Sequence, residues 1–257
     1  AILLFVMLIC RLLRTRCKGT PKAKVHTGSM PPYVFWEHIG SPKFVAAPMV
    51  DQSELAFRLL TKRNGADLAY TQMHHAGNFV RDPKYRDSSL DWNDYSHPLD
   101  SQRSEPVASE SESRQLDAPL IVQFAGSDPQ TVLEACRHVQ HDEAVAAVDL
   151  NLGCPQKIAR RGRYGAYLLP KPEVVEAVLR AMVDGLDCAV TAKVRVLGCH
   201  EETLRLCHMI QKTGVKALTV HGRTVDNSKL YTGACDWDII RDIKAELDIP
   251  VIANGGV

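Results

Sequence analysis

The chain has 257 residues, of which 45% are hydrophobic and 24% are charged, a composition typical of a globular protein with one barrel or two small domains. The formal net charge of +1 excludes attraction to nucleic acid through overall charge alone. Eight cysteines stand at irregular spacing without a Cys-x-x-Cys pair. This pattern argues against a zinc ribbon or a disulfide framework and favours reduced thiols.

The first 29 residues lack the pattern of a folded domain or of a standard targeting signal. Residues 1–9 are apolar, a run too short to span a bilayer. The basic residues follow this run, which is the wrong order for a signal peptide, and the chain does not begin with Met. We expect a fragment or translated upstream sequence, and we leave residues 1–29 out of the fold prediction. We also expect no membrane anchor and a cytoplasmic location, with the nucleus or mitochondrion as alternatives.

Residues 30–257 are predicted to form one domain in which strands and helices alternate. Apolar runs that end at Gly, Pro or polar residues predict seven strands: Lys43–Ala47, Ala66–Thr71, Pro119–Phe124, Val145–Leu150, Ala189–Val194, Val215–Val220 and Pro250–Ala253. Capping residues and helical periodicity predict the helices between them: Glu54–Arg63 capped by Ser53, one capped by Asp128 with Pro129 next, one opened by Pro172, Glu202–Lys212 closed by Gly214, and Asp238–Leu247.

Alternating βα units with apolar strands are typical of a parallel sheet covered by helices. Seven such strands predict an α/β fold, a (β/α)8 TIM barrel without its last βα unit. A doubly wound open sheet is the alternative, but it would place Gly-x-Gly-x-x-Gly after the first strand, where this chain has Pro48-Met49-Val50-Asp51. Residues 91–117 are rich in Ser and Glu and are predicted to be a disordered, low-complexity loop insertion.

The most informative motif follows the fourth strand, where Asn151-Leu152-Gly153-Cys154-Pro155 precedes Gly165-Ala166. It places a cysteine on a loop at the carboxyl end of a barrel strand, where TIM-barrel enzymes carry their catalytic groups. A packing role for Cys154 is the alternative, although the neighbouring Asn, Gly and Pro favour an exposed turn. Four cations on the same loop are either solvated charges or phosphate contacts: Lys157, Arg160, Arg161 and Arg163.

Polar residues recur where the predicted strands end. Because the carboxyl ends of parallel barrel strands open on one mouth, these residues predict a cationic site rich in hydrogen-bond donors. They are Pro48-Met49, Gln123, Asn151, Cys154, Lys193, Arg195, His221-Gly222-Arg223 and Asn254-Gly255-Gly256. No metal-ligand set is predicted among them.

From about residue 43 to the end, the sequence resembles the tRNA-dihydrouridine synthases, flavin enzymes that reduce uridine in tRNA. Residues 51–56 and 164–166 resemble most the eukaryotic branch that acts on uridines sixteen and seventeen of the D-loop. The blocks that carry the resemblance are Ala47-Pro48-Met49-Val50-Asp51, Val122-Gln123-Phe124-Ala125-Gly126, Asp149 to Pro155 with Gly162 and Gly165-Ala166, Lys193-Val194-Arg195, His221-Gly222-Arg223-Thr224 and Asn254-Gly255-Gly256.

This resemblance implies FMN at the barrel mouth and NADPH, or NADH, as the reductant. Pro48, Met49, Val50 and Gln123 would contact the isoalloxazine ring, and Lys193 would lie near its N1–C2 edge, where a cation stabilises the reduced, anionic flavin. The remaining predicted cofactor residues are His221 as a ring or phosphate contact, and Asn254, Gly255 and Gly256 as backbone donors to the phosphate.

The resemblance also assigns the substrate side of the site. Cys154 would give a proton to C5 of an extruded uridine as a general acid, and Asn151 would orient the uracil or the flavin. Phosphate and substrate contacts would come from Arg195, Arg223, Lys157, Arg160, Arg161 and Arg163. The partner would be tRNA; the sequence does not predict the oligomeric state.

Some features depart from the family pattern. We expect the last βα unit and the helical C-terminal domain of the family to be missing, and Gln72 stands where relatives favour proline. For the adjacent His74 and His75 there are two expectations. Either one of them approaches the substrate or the flavin, or both are surface residues. The alternatives are a reductase of free pyrimidines resembling dihydroorotate or dihydropyrimidine dehydrogenases, an inactive RNA-binding fragment, and a truncated product that does not fold.

Overall fold

The computed structural model describes residues 26–89, 110–226 and 233–256. Within these ranges one sheet contains seven strands, and all its neighbouring strands are parallel and follow the order β1 to β7. The strands are β1 Val45–Ala46, β2 Leu68–His75, β3 Leu120–Ala125, β4 Val145–Leu152, β5 Ala189–Arg195, β6 Ala217–His221 and β7 Val251–Asn254. The predicted seven-strand α/β architecture of an incomplete (β/α)8 barrel is confirmed.

The described helices precede, link or follow these strands. They are α1 Pro32–His38, α2 Leu55–Arg63, α3 Ala76–Arg81, α4 Pro83–Ser89, α5 Glu110–Asp117, α6 Pro129–Arg137, α7 Lys157–Gly162, α8 Pro172–Gly185, α9 His200–Lys212 and α10 Trp237–Glu246. The predicted start of α6 is confirmed, because the Asp128 carboxylate accepts a hydrogen bond from the backbone N–H of Thr131 at 2.9 Å and Pro129 follows it.

The sheet curls so that its two edges approach each other. A flat sheet would separate β1 from β7 by six spacings of about 4.8 Å, or about 29 Å. Instead, Ala46 of β1 and Val251 of β7 line one cavity, together with Tyr70 and Lys193 from strands between them. The Lys244 ammonium of α10 also donates a 2.6 Å hydrogen bond to the Tyr33 hydroxyl of α1.

Alternation along each strand separates two environments. In β4, Val148, Leu150 and Leu152 point outward into the main hydrophobic core beneath the helices. Ala147 belongs to a second cluster inside the barrel. Asp149 and Asn151 share that inward parity, so the inner face changes from apolar to polar toward the carboxyl ends of the strands.

Helix α1 closes the amino-terminal end of the barrel. Its Phe35 is fully buried and packs with Leu68, Tyr70, Ile121 and Ala147 in the inner cluster. The sequence patterns did not predict this helix. The closed lower end leaves the carboxyl ends of the strands as the open mouth.

Two local predictions were wrong. Ser53 does not cap α2; its hydroxyl accepts from the Met49 N–H at 2.9 Å and donates to the Ala47 carbonyl at 3.3 Å, which closes the turn after β1. Part of the predicted disordered insertion is helix Glu110–Asp117. That helix is held by a buried ion pair between Arg58 and Asp117 at 2.9 Å.

The predictions for residues 1–25 and 90–109 lie outside the described residues. Residues 26–29, which lie outside the predicted domain, contact the barrel, because the Gly28 N–H donates to the Asp187 carbonyl at 2.9 Å.

Candidate active site

Cys154 lies on a tightly held loop directly after β4. The Asn151 side-chain oxygen accepts hydrogen bonds from the backbone N–H groups of Gly153 and Cys154, at 3.1 and 2.9 Å. The Cys154 carbonyl accepts from the Ala166 N–H at 3.1 Å. The thiol side chain is half-buried and packs against the cluster that contains Tyr164. The predicted exposed turn is therefore a fixed loop that keeps a cysteine accessible at the mouth.

Gly165 allows this loop to pack closely. Its φ is +65°, and a Cβ built on it would lie 2.8 Å from the Cys154 carbonyl oxygen. A side chain at this position would meet backbone rather than a movable neighbour. The spacing between Cys154 and Gly165-Ala166 in the sequence thus has a steric reason.

A chain of side-chain hydrogen bonds supports the cysteine loop from below. Thr191 and Gln123 donate to the two carboxylate oxygens of Asp149, at 2.6 and 2.9 Å. The Gln123 side-chain oxygen accepts from the Asn151 amide at 2.7 Å. Because the Asp149 carboxylate accepts from the Gln123 NH2 group, the Gln123 oxygen faces Asn151 and accepts from its NH2 group. The Asn151 oxygen therefore faces the backbone N–H groups of Gly153 and Cys154.

Two oppositely charged groups lie inside the barrel below the mouth. Burial raises the pKa of the Asp149 carboxyl to about 6, against the hydrogen bonds from Thr191 and Gln123 and the charge of Lys193. Burial lowers the pKa of the Lys193 ammonium to about 8; Asp149 opposes this shift and Arg195 adds to it. Lys193 is 8% exposed and donates to the Asn254 side-chain oxygen at 2.8 Å. At neutral pH it is a fixed, buried cation.

The β6 and β7 ends bring His221, Arg223 and the Asn254–Gly256 turn together, as predicted. His221 pairs in register with Asn254, and Arg223 Nη1 lies 3.4 Å from His221 Nε2. Burial, and then the charges of Arg195, Lys193 and Arg223, lower the pKa of His221 to about 3. The imidazole is neutral and can accept or donate a hydrogen bond. Gly255 has φ +119°, and its Cβ would lie 2.7 Å from the His221 ring.

Arg195 is tied to backbone at the mouth. It donates to the Gly153 carbonyl at 2.8 Å and to the Thr224 carbonyl at 3.1 Å. This residue therefore links the loops after β4 and β6. Its predicted contact with RNA stays a prediction.

The cavity along the inner face has a volume of about 890 Å³, within the usual range for ligand pockets. It extends from the polar interior to the gap between β1 and β7. Its lining includes Pro48, Lys193, Thr219, Asn254, Gly255 and Gly256 at the mouth, and Trp36, Phe44, Asn64 and Trp237 along the gap. Met49 and Val50 lie in the adjoining turn that Ser53 closes. Gln123 and Asn151 are engaged in the network beneath.

The four predicted phosphate contacts are not on a loop. Lys157, Arg160 and Arg161 lie on the short helix α7, and Arg163 follows as its C-terminal cap. All four side chains are exposed. A helix of six residues stands where a loop was predicted, and it ends at Gly162 and the left-handed turn at Arg163. It presents cations beside the Cys154 loop.

The sequence patterns predict no role for Asp149, Thr191 or Tyr70. The Tyr70 hydroxyl lies 3.1 Å from the Thr219 hydroxyl. A signal was available, because polar residues at every second position of β4 and β5 mark the inward face. Within the described ranges, no group of three His, Cys, Asp or Glu side chains is placed to hold a metal. No helix there is both long and apolar enough to cross a membrane.

The sequence matches a known protein family over most of its length. A model described as dihydrouridine synthase (Dus) matches residues 45–257. The tRNA-dihydrouridine(16/17) synthase [NAD(P)(+)]-like protein of Rattus norvegicus is 40% identical over 226 residues, which cover 88% of this chain and 47% of the rat protein. The tRNA-dihydrouridine(16/17) synthase [NAD(P)(+)] of Saccharomyces cerevisiae is 37% identical, with coverage of 86% and 48%.

A further relative is the human tRNA-dihydrouridine(20a/20b) synthase [NAD(P)+]-like protein, 37% identical over 86% of this chain and 62% of its own length. This chain thus spans about half the length of the curated (16/17) relatives named above. The predicted resemblance is confirmed over the whole described barrel, and the chain belongs to the dihydrouridine synthase family.

Proposed function

We propose that this chain reduces uridine to 5,6-dihydrouridine in the D-loop of tRNA, with FMN as cofactor, NADPH or NADH as reductant and Cys154 as general acid. The observation that carries the proposal is the placement of a rigidly held cysteine and a buried lysine on the same barrel mouth. The names of the relatives, which specify tRNA, dihydrouridine and NAD(P)(+), support the substrate and the reductant.

The residues present fit FMN. Lys193 supplies a desolvated cation on the wall of a cavity of about 890 Å³, suited to the negative charge of a reduced isoalloxazine ring. At the same cavity, a Cβ on Gly255 would collide with His221, so bare backbone is required there. Backbone N–H groups of Gly255 and Gly256 would suit a phosphate. Pro48, Met49, Val50, Gln123, His221 and Asn254 complete the proposed binding set.

The chemistry divides between the cofactor and the protein. When bound, reduced FMN supplies the hydride that C6 of uracil requires. Cys154 supplies the proton for C5 from its thiol as a general acid. The Asp149–Gln123–Asn151 chain holds the acid in place. Lys193 keeps positive charge beside the ring-binding part of the cavity.

The substrate side follows from charge and access. A uridine within a folded RNA loop must leave its stack to reach a barrel mouth. The exposed cations of α7 lie beside that mouth, and we assign Lys157, Arg160, Arg161 and Arg163 to RNA phosphates. Arg223 and Asn151 face the substrate side in this assignment, and Arg195 orders the loops around it.

The test is dihydrouridine content, by mass spectrometry, of a tRNA transcript incubated with the chain, FMN and NADPH. We expect Cys154→Ala to lower the rate by about 10²- to 10⁴-fold, the usual contribution of a general acid, with flavin binding unchanged. Cys199→Ala is the matched control, because Cys199 is exposed at the start of α9.

A flavin-loaded, folded chain that leaves tRNA unmodified would contradict the proposal. Turnover of free uracil without tRNA would favour a free-pyrimidine reductase instead. RNA binding without any reduction would favour an inactive binder.

A further inference from the structure

A histidine with a fixed tautomer lies at the mouth near Cys154. His75 is the last residue of β2, in register with Ala125 of β3. It also occupies the N-cap position of α3. Its backbone N–H donates to the Tyr85 hydroxyl at 3.2 Å, which fixes the position of the chain as it leaves the strand.

The cap contact determines which ring nitrogen carries the proton. The Asn78 backbone N–H donates to His75 Nδ1 at 3.2 Å. A nitrogen that accepts a hydrogen bond is unprotonated, so the ring proton is on Nε2. Burial, and then the charge of Arg81, lower the pKa of His75 and keep the ring neutral. Among the described residues, no hydrogen bond engages Nε2, so the half-buried ring has a donor to offer.

The ring is one side chain away from the acid. His75 packs edge-on against Tyr164, with ring centroids 5.2 Å apart and an interplanar angle of 65°. Tyr164 in turn packs in the cluster that contacts Cys154 and Met73. Burial, and then the nearness of Cys154 and Tyr85, raise the pKa of the Tyr164 hydroxyl. The His75 ring and the Cys154 side chain are therefore both in contact with the cluster around Tyr164.

The chemistry of uracil indicates which atom would meet this donor. In the ring, C5 adjoins C4, whereas C2 is opposite C5. If C5 of the base lies at the Cys154 thiol to receive its proton, the C4 carbonyl lies next to it, on residues that surround the thiol. When hydride adds to C6, the electron pair of the C5–C6 double bond moves toward C4, and negative charge develops on O4. Protonation at C5 then restores the C4 carbonyl.

We propose that His75 donates its Nε2 hydrogen to O4 of the uracil and stabilises the negative charge that develops there. The inference rests on the proposed function and adds a donor to it. His75 keeps its proton throughout, and Cys154 alone transfers one. The same donor selects uracil over cytosine, because cytosine would present its own amino hydrogens at this position and leave both donors unpaired.

Two substitutions separate this role from helix capping. His75→Asn keeps an oxygen that can accept from the Asn78 N–H, since Asn is a favoured N-cap residue, but removes the distal donor. His75→Gln keeps an amide donor near the Nε2 position and removes the cap. We expect single-turnover dihydrouridine formation to fall about 10²-fold in His75→Asn, the usual effect of losing one such donor, with KM for tRNA unchanged. His75→Gln is expected to retain most of the rate and to unfold more easily.

The reverse order, with His75→Asn active and His75→Gln impaired, would overturn the proposal and leave His75 as a cap. An independent readout is the ¹⁵N NMR spectrum of the flavin-free chain, where we expect protonated Nε2 and unprotonated Nδ1; the opposite tautomer would also overturn it. If the unaltered chain forms no dihydrouridine, the proposed function fails and this inference fails with it. If the unaltered chain and His75→Asn are equally active, the inference alone fails.

Discussion

At the residue scale, the site depends on contacts that hold Cys154 rather than on Cys154 alone. The sequence motif identified the cysteine, and the resemblance assigned Asn151 to the uracil or flavin. The structure places the Asn151 amide in contact with Gln123 and the Cys154 loop. Among the residues that the structure describes, the Asn151 amide donates only to Gln123, so one of its two hydrogens remains for a ligand. Asn151 therefore has a positioning role that its place in the motif did not indicate.

Gly165 provides a residue-scale prediction. Gly165→Ala would place a Cβ 2.8 Å from the Cys154 carbonyl at a φ of +65°. We expect a loss of about 1–3 kcal/mol in the free energy of unfolding, since a non-glycine residue in this region is strained. We also expect faster alkylation of Cys154, because the loop must move. Urea denaturation and iodoacetamide kinetics measure the two effects.

Gly198→Ala is the control, because Gly198 has no atom within 4 Å of a built Cβ and no positive φ. Equal stability losses in the two variants would contradict the steric explanation.

At the element scale, the order of the strands and the alternation of side chains along them bring the site residues together. The apolar runs predicted all seven strands, with boundaries that differ from the structure by a few residues. The predicted strand Val145–Leu150 extends to Leu152 in β4, because Asn151 continues the inward polar positions rather than ending the strand. The sequence predicts a loop for the basic segment after Cys154, since six residues are too few for a clear helical period.

Helix α7 carries the element-scale prediction. Arg160→Gln with Arg161→Gln should weaken tRNA binding and reduce the dependence of log K on log salt by about 1 for each phosphate that no longer has a cation beside it. Electrophoretic mobility shifts at several salt concentrations measure both quantities. Arg137→Gln is the control, since Arg137 is an exposed residue at the end of α6. That position lies toward the amino-terminal end of the barrel.

If the dependence of log K on log salt is unchanged in the double variant, the RNA binds to another surface. A similar reduction in Arg137→Gln would indicate nonspecific attraction to the whole protein.

At the scale of the whole molecule, curling of the sheet creates the cavity to which we assign FMN. Tyr70, Lys193 and Thr219 come from three strands and face one space with β1 and β7 at its sides. Helix α1 fills the lower end with Phe35, and its Trp36 lines the cavity together with Phe44 and Trp237. The cavity therefore depends on the closed lower core as well as on its own lining.

Ligand binding should accordingly stabilise the whole chain. FMN at 100 times its Kd is expected to add about 2.7 kcal/mol to the free energy of unfolding by mass action. Riboflavin at the same concentration should add less, because it lacks the phosphate that we assign to Gly255 and Gly256. Thermal unfolding with each ligand measures the difference. Equal stabilisation by the two ligands would contradict the assignment of the phosphate to Gly255 and Gly256.

The sequence by itself determined the strand order, the fold class, the family and the cysteine that we assign as the acid. These follow from hydrophobic period, turn residues and short motifs, which are local properties of the chain. Only the tertiary structure decided which side chains meet: the hydrogen-bond chain from Asp149 to Cys154, the tie from Arg195 to two loops, and the pairing of His75 with Tyr164. These contacts join residues from different strands, and their geometry depends on register and sheet curvature, which no local pattern encodes.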